Sequence, residues 1–393
     1  MEDKVHISLK TLLAAFETFK RHVYETYIID EDEVVRKPDG KGVHWLNPFI
    51  ASGFARVFSI LYKLNGDPKD KEFAKACIEH VKRSAIYAHG TYIWELPTPS
   101  ICSHGRYWTN MLFVAECLKD EGILYWLETA IAGWPFSEEK GLFYVHFSPV
   151  TGKETAHNHP YNMELEAAVP AWIVGKRVGN EVLMDRGKRV IEKFFLPNQR
   201  PDSFWDYDYE GVYGTERLEY LYSAYCVLLA SRLLVYPEWR SVLAEPLKYS
   251  IDATLKHCLR EDGSIYTPTH WGWGHIWEST ALVCNAMWYL QRYLGIDYGE
   301  IIAKGIDWVL RCKLQEISFD PPPQECGEVT RHIAELAYND VNVEGKRAEI
   351  PQILQTLETV DKELFNGSNA PQRHFKTKTA LSKLMEKLKR NMK

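Results

Sequence analysis

Residues 157–177, HNHPYNMELEAAVPAWIVGKR, join a loop rich in histidine and asparagine to a long apolar helix. The same order, a polar loop followed by an apolar helix, recurs four more times at a spacing of roughly 50–60 residues. A repeat of this length is about one helical hairpin with its loops. The other copies are HWLNPFIASGFARVFSILYKL from His44, CSHGRYWTNMLFVAECLKD from Cys102, YEGVYGTERLEYLYSAYCVLLASRLL from Tyr209 and HWGWGHIWESTALVCNAMWYLQRYL from His270.

More polar, amphipathic segments lie between these copies and predict helices that are exposed on one side. NEVLMDRGKRVIEKFF and YGEIIAKGIDWVLRCKL are two examples. Together the two kinds of segment give about twelve helices that alternate between more apolar and more polar. This alternation predicts an all-α fold, an (α/α)6 toroid in which six inner helices are surrounded by six outer ones, with short β pieces in the loops. A stacked helical solenoid is the alternative architecture.

The repeat predicts a catalytic toroid over residues 1–345 and a helical extension over residues 346–393. Within the extension, NGSNAPQRHF is typical of a linker. KTKTALSKLMEKLKRNMK predicts a basic amphipathic terminal helix. Such a helix can bind membranes or acidic partners, although docking at a domain edge is the commoner arrangement.

Composition narrows the class of protein. Hydrophobic residues make up 46% of the 393 residues, and the formal net charge is −6, which argues against a nucleic-acid partner. The sequence contains no long uncharged apolar run, so it predicts no membrane span. The start, MEDKVHISLK, lacks the pattern of a secretory signal. The eight cysteines are scattered without a CxxC pair. We therefore expect a cytoplasmic protein with no metal site and no cofactor, while its oligomeric state stays open.

In a toroid, the loops that precede the inner helices open at one end of the ring. The five polar entrances would therefore surround one funnel, although they are far apart in sequence. A helix N-terminus needs only one capping side chain. Five entrances that all carry His, Trp, Tyr or acidic residues exceed this requirement, so the sequence predicts an active site in the funnel.

This arrangement resembles the six-hairpin toroid enzymes, which include glycoside hydrolases, polysaccharide lyases and sugar epimerases. The resemblance covers about residues 8–340 and implies a carbohydrate-active enzyme. No diagnostic motif of a single family is complete, so the resemblance is one of architecture and the site has to be argued separately.

HNHPYN is similar to the Asn-Asn-His entrance of alginate-lyase-type toroids. There an Asn neutralises the uronate carboxyl group, and a His or Tyr moves protons during β-elimination. The resemblance implies these roles for Asn158 and His159, and for Arg217 with Tyr220 or Tyr222. The first Asn of that pattern is a histidine in this chain.

THWGWGHIWEST is similar to the entrance of a late inner helix in unsaturated-glucuronyl-type hydrolases. This resemblance implies site roles for Trp271, Trp273, His275 and Glu278. Those hydrolases carry an Arg in the comparable run and this chain does not, which weakens the case for a uronate substrate.

The segment WDYDYEG places Asp206, Asp208 and Glu210 at alternate positions, so that in an extended chain all three would project from one face. Crowded carboxylates raise one another's pKa, as a general acid requires, and a glycosidase needs two carboxyl groups. A solvated turn or a calcium ligand set is the alternative.

Possible partners for these acids are Glu95, Glu164, Glu166 and Glu278. For Glu164, a first-turn acid that interacts favourably with the helix dipole is the alternative role.

Flat rings at the mouth of a polar funnel suit stacking on sugar faces, and core packing is their alternative role. The predicted substrate-binding residues are Trp45, His104, Trp108, Trp205, Arg217, Trp271, Trp273 and His275.

The sequence thus predicts hydrolysis of a glycosidic bond in an oligosaccharide, by Asp206 or Asp208 together with Glu164 or Glu278. Four alternatives stay open. They are β-elimination by Asn158, His159 and a tyrosine such as Tyr222, epimerisation by a histidine pair such as His159 with His275, terpenoid-type cyclisation in an aromatic cavity, and glycan binding without chemistry.

Overall fold

The computed structural model of the chain describes residues 19–21, 23–30, 33–36, 44–45, 47–94, 98–207, 220–268, 276–316 and 335. Ten α-helices have defined bounds in these ranges, and residues 19–21 and 23–26 are also helical. Five of them begin at the polar entrances: α1 (Pro48–Asn65), α3 (Ile101–Leu118), α5 (Tyr161–Val178), α7 (Tyr220–Ser231) and α9 (Ile276–Leu294). The other five alternate with them: α2 (Pro68–Arg83), α4 (Glu121–Ala132), α6 (Glu181–Arg189), α8 (Pro237–Cys258) and α10 (Gly299–Glu316).

The two sets of helices form two concentric layers. Helix α3 packs between α1 and α5, and α7 packs between α5 and α9, so the odd-numbered helices follow one another around a ring. Each even-numbered helix packs on the outside of its odd-numbered neighbours. This is the arrangement of an (α/α)6 toroid, and it confirms the predicted fold class.

Capping residues explain where several of these helices begin. The side chain of Asn47 accepts a hydrogen bond from the Phe49 amide at the start of α1, and Pro48 occupies the first turn. Ser100 accepts from the Cys102 amide at the start of α3. Each cap satisfies a backbone donor that has no partner within its helix.

Short antiparallel strands occupy the connections that lead into the inner helices. Before α1 lie β1 (Tyr27–Asp30), β2 (Glu33–Arg36) and β3 (His44–Trp45). Before α3 lie β4 (Ile86–Ala88) and β5 (Thr91–Ile93), and before α5 lie β6 (Phe136–Ser137), β7 (Leu142–Phe143), β8 (His146–Phe147) and β9 (Glu154–Ala156). They are the short β pieces that the sequence predicts in the loops.

A buried ion cluster ties the last inner position to the rest of the ring. Glu335 is helical and fully buried, and it accepts two hydrogen bonds of 2.9 Å from Arg232 and one of 2.8 Å from the Tyr289 hydroxyl of α9. The same carboxylate pairs with Arg56 of α1. Glu335 therefore bridges α9 and α1, where the sixth inner helix of a closed ring is expected.

The described residues bear on the predicted C-terminal extension and on membrane spans. The predicted extension, residues 346–393, lies outside the described residues, so the domain division stays a prediction. Within the described ranges, no helix is long and apolar enough to cross a membrane.

Candidate active site

Four inner helices bring one polar side chain each to a common place inside the ring. Arg106 comes from α3, Glu166 from α5, Tyr225 from α7 and Glu278 from α9. The Nε atom of Arg106 lies 3.5 Å from Oε1 of Glu166, and the guanidinium carbon lies 5.8 Å from the centre of the Tyr225 ring. The Tyr225 hydroxyl donates a hydrogen bond to Glu278. We call these four residues the Arg106 cluster.

Part of the Arg106 cluster is open to solvent. The Arg106 side chain is 27% exposed, although its guanidinium lies 6.0 Å from the centre of the Phe49 ring and 5.8 Å from that of the Tyr225 ring. Glu278 is partly exposed and Glu166 is 5% exposed. The Arg106 guanidinium thus lies near two aromatic rings and still contacts water.

The electrostatics of the cluster keep Arg106 charged. The pKa of Arg106 is raised by the negative charge that Cys102 carries when it is ionised, and further by Tyr225, Glu166 and Glu278, while burial opposes the change. Arg106 therefore remains a cation at any pH at which the protein is folded. It can stabilise negative charge on either carboxylate or on a bound ligand.

Tyr222 lies on the same side of α7 as Tyr225, because residues three apart are neighbours on a helix surface. Burial is the largest cause that raises the pKa of Tyr222, and the charges of Cys102 and Glu278 add to it while that of Arg106 opposes it. The Tyr222 phenol thus keeps its proton at neutral pH and is a proton donor beside the cluster.

The approach of α3 to α5 depends on the residue before Arg106. A Cβ atom at Gly105 would lie 2.5 Å from Cβ of Glu166 and 2.6 Å from its backbone oxygen, closer than real Cβ atoms come to other atoms. Only glycine allows the two helices to touch at this point. The contact sets Arg106 directly beside Glu166.

Glu164 faces away from the Arg106 cluster. Residues two apart on an α-helix differ by about 200° in direction, so Glu164 and Glu166 project from opposite sides of α5. Glu164 Oε1 lies 2.8 Å from His159 Nδ1, and Oε2 accepts a 3.2 Å hydrogen bond from the Phe143 amide. Burial raises the pKa of the Glu164 carboxyl group, and the bonds from His159 and Phe143 oppose this. These contacts tie the loop before α5 and strand β7 to the helix.

Asp206 is engaged in an ion pair. Its Oδ1 lies 2.6 Å from Nη1 of Arg200, which also pairs with Asp202, and the Asp206 side chain is 25% exposed. Asp208, the other carboxylate predicted at this position, lies outside the described residues, as do Glu210 and Glu95.

His104 has both ring nitrogens occupied inside the core. Its Nδ1 lies 2.7 Å from the Ser100 carbonyl oxygen, and its Nε2 accepts a 3.2 Å hydrogen bond from the Trp94 amide. Burial lowers the pKa of His104 to about 3, so the ring is neutral. This arrangement favours a packing role for His104 over contact with a sugar.

Two of the tryptophans predicted to bind sugar are also in the core. Trp108 is 0% exposed and packs edge-on against Trp134. Trp205 is 1% exposed, stacks on Phe195 and donates its indole hydrogen to the Phe195 carbonyl. A sugar cannot reach these rings in this structure, which favours packing for both.

Two predicted residues border the entrance of α5 and one lies in a strand. Asn158 is partly exposed and His159 is buried against Glu164. Trp45 belongs to β3, where it pairs with Val35. The predicted binding residues that lie outside the described residues are Arg217, Trp271, Trp273 and His275.

Among the residues that the structure describes, no group of three or more His, Cys, Asp or Glu side chains is placed to hold a metal ion.

Sequence reasoning singled out Glu278 and weighed Glu166, but it missed Arg106 and Tyr225. The signal that could have found Arg106 is its place in CSHGRYWTN, where a charged residue follows a glycine in the second turn of a helix whose other charged residue is Glu116. A charge that is retained in an inner helix points to a partner across the ring, because an unpaired buried charge is costly.

Comparison with known proteins shows similarity of fold. No protein-family model and no curated protein matches the chain. The solved structure of a D-mannose isomerase has a TM-score of 0.65 and 13% identity, and the match covers 86% of this chain and 100% of the isomerase. A cellobiose 2-epimerase from Bacillus thermoamylovorans has a TM-score of 0.61 and 12% identity, with coverage of 82% and 99%.

An unsaturated glucuronyl hydrolase specific for heparin has a TM-score of 0.60 and 14% identity, with coverage of 85% of this chain and 97% of the hydrolase. At this identity the matches establish the fold and leave the chemistry open. They confirm the predicted resemblance to the six-hairpin toroids as one of architecture.

Proposed function

We propose that this protein is a carbohydrate-active enzyme that hydrolyses a glycosidic bond in an oligosaccharide, with Glu166 and Glu278 as its carboxyl pair. One observation carries the proposal. The two carboxyl groups come from different inner helices, α5 and α9, and the negative charge of each raises the pKa of the partly exposed Arg106. The fold, which is that of sugar-processing enzymes in the solved structures, supports the assignment.

The pair meets the chemical requirement of glycoside hydrolysis. One carboxyl group must protonate the leaving oxygen, while the other activates water or attacks the sugar. Glu278 keeps contact with solvent and is oriented by the Tyr225 hydroxyl, so we assign it as the group that activates water or attacks the sugar. Glu166, at 5% exposure, is assigned as the acid that protonates the leaving oxygen. Arg106 would stabilise the carboxylate charge that moves from one group to the other during the reaction.

The pair Glu166 and Glu278 takes the place of Asp206 and Glu164, which the sequence predicted as a catalytic pair. Asp206 is paired with Arg200, and Glu164 uses both oxygens to hold His159 and the Phe143 amide. The 2.6 Å contact of Asp206 with Arg200 is closer than the 3.5 Å contact between Arg106 and Glu166. Glu164 is 0% exposed, whereas Glu278 keeps contact with solvent, so the proposed pair is more available to substrate.

The charges of the cluster favour a neutral substrate. When Glu166 carries the proton that hydrolysis requires, the Glu278 carboxylate already balances the one cation of the cluster, Arg106. A uronate would bring an additional, unbalanced negative charge to the same place and would be repelled by Glu278. We therefore propose a neutral oligosaccharide as the substrate class.

A second candidate is isomerisation or epimerisation of a sugar, and the protonated phenol of Tyr222 favours it. Such reactions remove a proton from one sugar carbon and return a proton to the same or a neighbouring position. Tyr222 and Glu278 lie close enough for the charge of one to affect the pKa of the other, so they could serve as acid and base. The similarity to a D-mannose isomerase and a cellobiose 2-epimerase is consistent with this candidate.

The test is a turnover screen on neutral and uronic oligosaccharides with three readouts. New reducing ends without ultraviolet absorbance from an unsaturated product are expected and indicate hydrolysis. A changed product by nuclear magnetic resonance, with constant reducing ends, would favour the isomerase or epimerase. Reducing ends together with absorbance would indicate β-elimination, overturn the proposal and direct attention to Asn158, His159 and Tyr222.

A further inference from the structure

A row of aromatic rings leads away from the Arg106 cluster. The Phe49 ring, which lies 6.0 Å from the Arg106 guanidinium, contacts the Tyr107 ring at 5.8 Å between centres. Tyr107 stacks on Trp94 at 4.3 Å. Trp94 directly follows strand β5. The row therefore passes from inside the ring into the β4–β5 hairpin.

The row continues onto the outer helix α4. Trp94 lies 5.6 Å from Trp126 of α4, and Trp126 stacks on Tyr92 of β5 at 5.0 Å. Tyr92 in turn lies 5.2 Å from Tyr87 of β4. We call Phe49, Tyr107, Trp94, Trp126, Tyr92 and Tyr87 the aromatic track.

Most of the aromatic track is accessible to solvent. Tyr87 is 61% exposed, and Phe49, Trp94, Trp126 and Tyr92 are each partly exposed, while Tyr107 is buried. One exposed ring with four half-buried rings forms a surface aromatic cluster, the kind of patch that marks an interaction site rather than ordinary scatter of apolar side chains.

Several contacts hold the track in place. The Trp94 indole donates a 2.7 Å hydrogen bond to the Val81 carbonyl, and the Thr91 hydroxyl donates one of 2.6 Å to the Ala130 carbonyl of α4. The hairpin turn uses left-handed backbone at Gly90, where φ is 84°. A Cβ at Gly133 would lie 1.8 Å from the Gly90 carbonyl oxygen, so hairpin and helix are in close contact. Fixed rings lose little freedom when a ligand binds.

The chemistry of the rings indicates what they bind. Tyrosine combines a flat apolar face with a hydroxyl group that can remain in water, and tryptophan adds a larger flat face, which suits a chain of sugars with apolar faces and outward hydroxyls. The continuity with Phe49 and Arg106 relates this surface to the proposed catalytic funnel.

We propose that the aromatic track is a second carbohydrate-binding site, which holds the part of a long glycan that extends out of the funnel, with Tyr87 as its outermost platform. The ligand class rests on the proposed function. A glycan bound here would be longer than the segment that reacts, so the track would select extended chains over short ones.

The test is electrophoresis of the full-length protein through gels that contain soluble xylan, β-mannan, mixed-linkage β-glucan or glycol chitin. At least one polymer should retard the wild type. Tyr87→Ala should bind that polymer about tenfold more weakly, the effect of losing one aromatic stacking contact, while Tyr87→Phe should bind as the wild type does. Tyr249→Ala, which removes a 49% exposed tyrosine from α8, is the matched control and should change nothing.

Turnover of short oligosaccharides by the same samples separates the two proposals. It should be equal in the wild type and Tyr87→Ala. Retardation that Tyr87→Ala leaves unchanged, or no retardation of the wild type by any polymer, would overturn the track. If light scattering showed that Tyr87→Ala forms a smaller oligomer than the wild type, the proposed glycan site would also be overturned, because the aromatic track would then be a contact between copies of the chain. Retardation that depends on Tyr87, without turnover of any oligosaccharide, would support glycan binding by the aromatic track and contradict the proposed hydrolase activity.

Discussion

The Nε atom of Arg106 on α3 and Oε1 of Glu166 on α5 lie 3.5 Å apart, and the two helices touch where Gly105 precedes the arginine. The pair spans 60 residues of sequence, and its geometry is set by a backbone contact. The carboxylate of the proposed acid thus depends on a position that carries no side chain. This relationship can be tested separately from the chemistry.

Gly105→Ala should separate α3 from α5 and weaken the Arg106–Glu166 pair. The added Cβ would meet Glu166 at 2.5 Å and its backbone at 2.6 Å, and backbone atoms cannot move aside as a flexible side chain can. We expect a loss of about 1–3 kcal/mol in the free energy of unfolding, as in other overpacked contacts, together with a lower kcat/KM.

Gly122→Ala is the control for this substitution. Gly122 lies near the start of α4, and the nearest atom to its added Cβ would be the tip of the Asp120 side chain at 3.1 Å. Its unfolding free energy and kcat/KM should stay close to those of the wild type. Gly105→Ala with wild-type stability and activity would show that the close contact does not position the pair.

Tyr225→Phe should remove the hydrogen bond to Glu278 and keep the ring beside Arg106. A hydrogen bond to a charged group contributes about 1.5–3 kcal/mol, so kcat should fall by about 10- to 100-fold with a smaller change in KM. Steady-state kinetics and circular dichroism check this. The exposed Tyr249→Phe serves as the control, and an unchanged kcat in correctly folded Tyr225→Phe would contradict the orienting role.

Glu335→Gln should destabilise the whole toroid. The substitution keeps the size of the side chain but leaves the buried charges of Arg56 and Arg232 without their carboxylate. Breaking a buried ion pair in this way costs about 3–5 kcal/mol, which chemical denaturation can measure. Glu300→Gln, which removes an ion pair with Lys304 between exposed side chains, should have no measurable effect, and equal behaviour of the two variants would contradict the closing role of Glu335.

The stability of the protein should fall as pH drops below neutrality, and His104 should contribute to the slope. Burial lowers the pKa of His104 to about 3, whereas in the unfolded chain it is about 6.5. The unfolded state therefore binds the extra proton between these values, so the contribution is complete above about pH 6.5 and is lost progressively toward pH 3, at up to about 1.4 kcal/mol per pH unit.

His104→Asn is the variant that checks this slope. It keeps a donor for the Ser100 carbonyl and removes the titrating ring. Its unfolding free energy should be lower at pH 7 but should decline less steeply between pH 7 and pH 4. Parallel pH curves for the variant and the wild type would show that the ring does not titrate in this way.

The fold was predictable from sequence because the loop–helix repeat extends along most of the chain and needs no knowledge of side-chain direction. The direction of individual side chains was not predictable, since the inner helices are apolar on all sides and hydrophobic periodicity does not mark their inward face. Glu164 and Glu166 illustrate this. They are two residues apart, yet one holds His159 and the other faces Arg106.

The aromatic residues show the same limit. Trp108 and Phe49 both lie near the start of an inner helix, but Trp108 is fully buried, whereas Phe49 is partly exposed beside Arg106. Composition of a loop indicates that a site is present. Which rings line it depends on how neighbouring helices pack, and that depends on contacts such as the one at Gly105.

The most direct test of the central claim is the single-turnover rate of Glu166→Gln and Glu278→Gln on an oligosaccharide that the wild type cleaves. Both substitutions keep the shape of the side chain and remove its ability to exchange a proton. Glu261→Gln, in an exposed turn, is the matched control and should be unaffected. The account predicts that each of the two variants loses at least about 100-fold in rate while it stays folded. A wild-type rate in either variant would contradict the assignment of Glu166 and Glu278 as the catalytic pair.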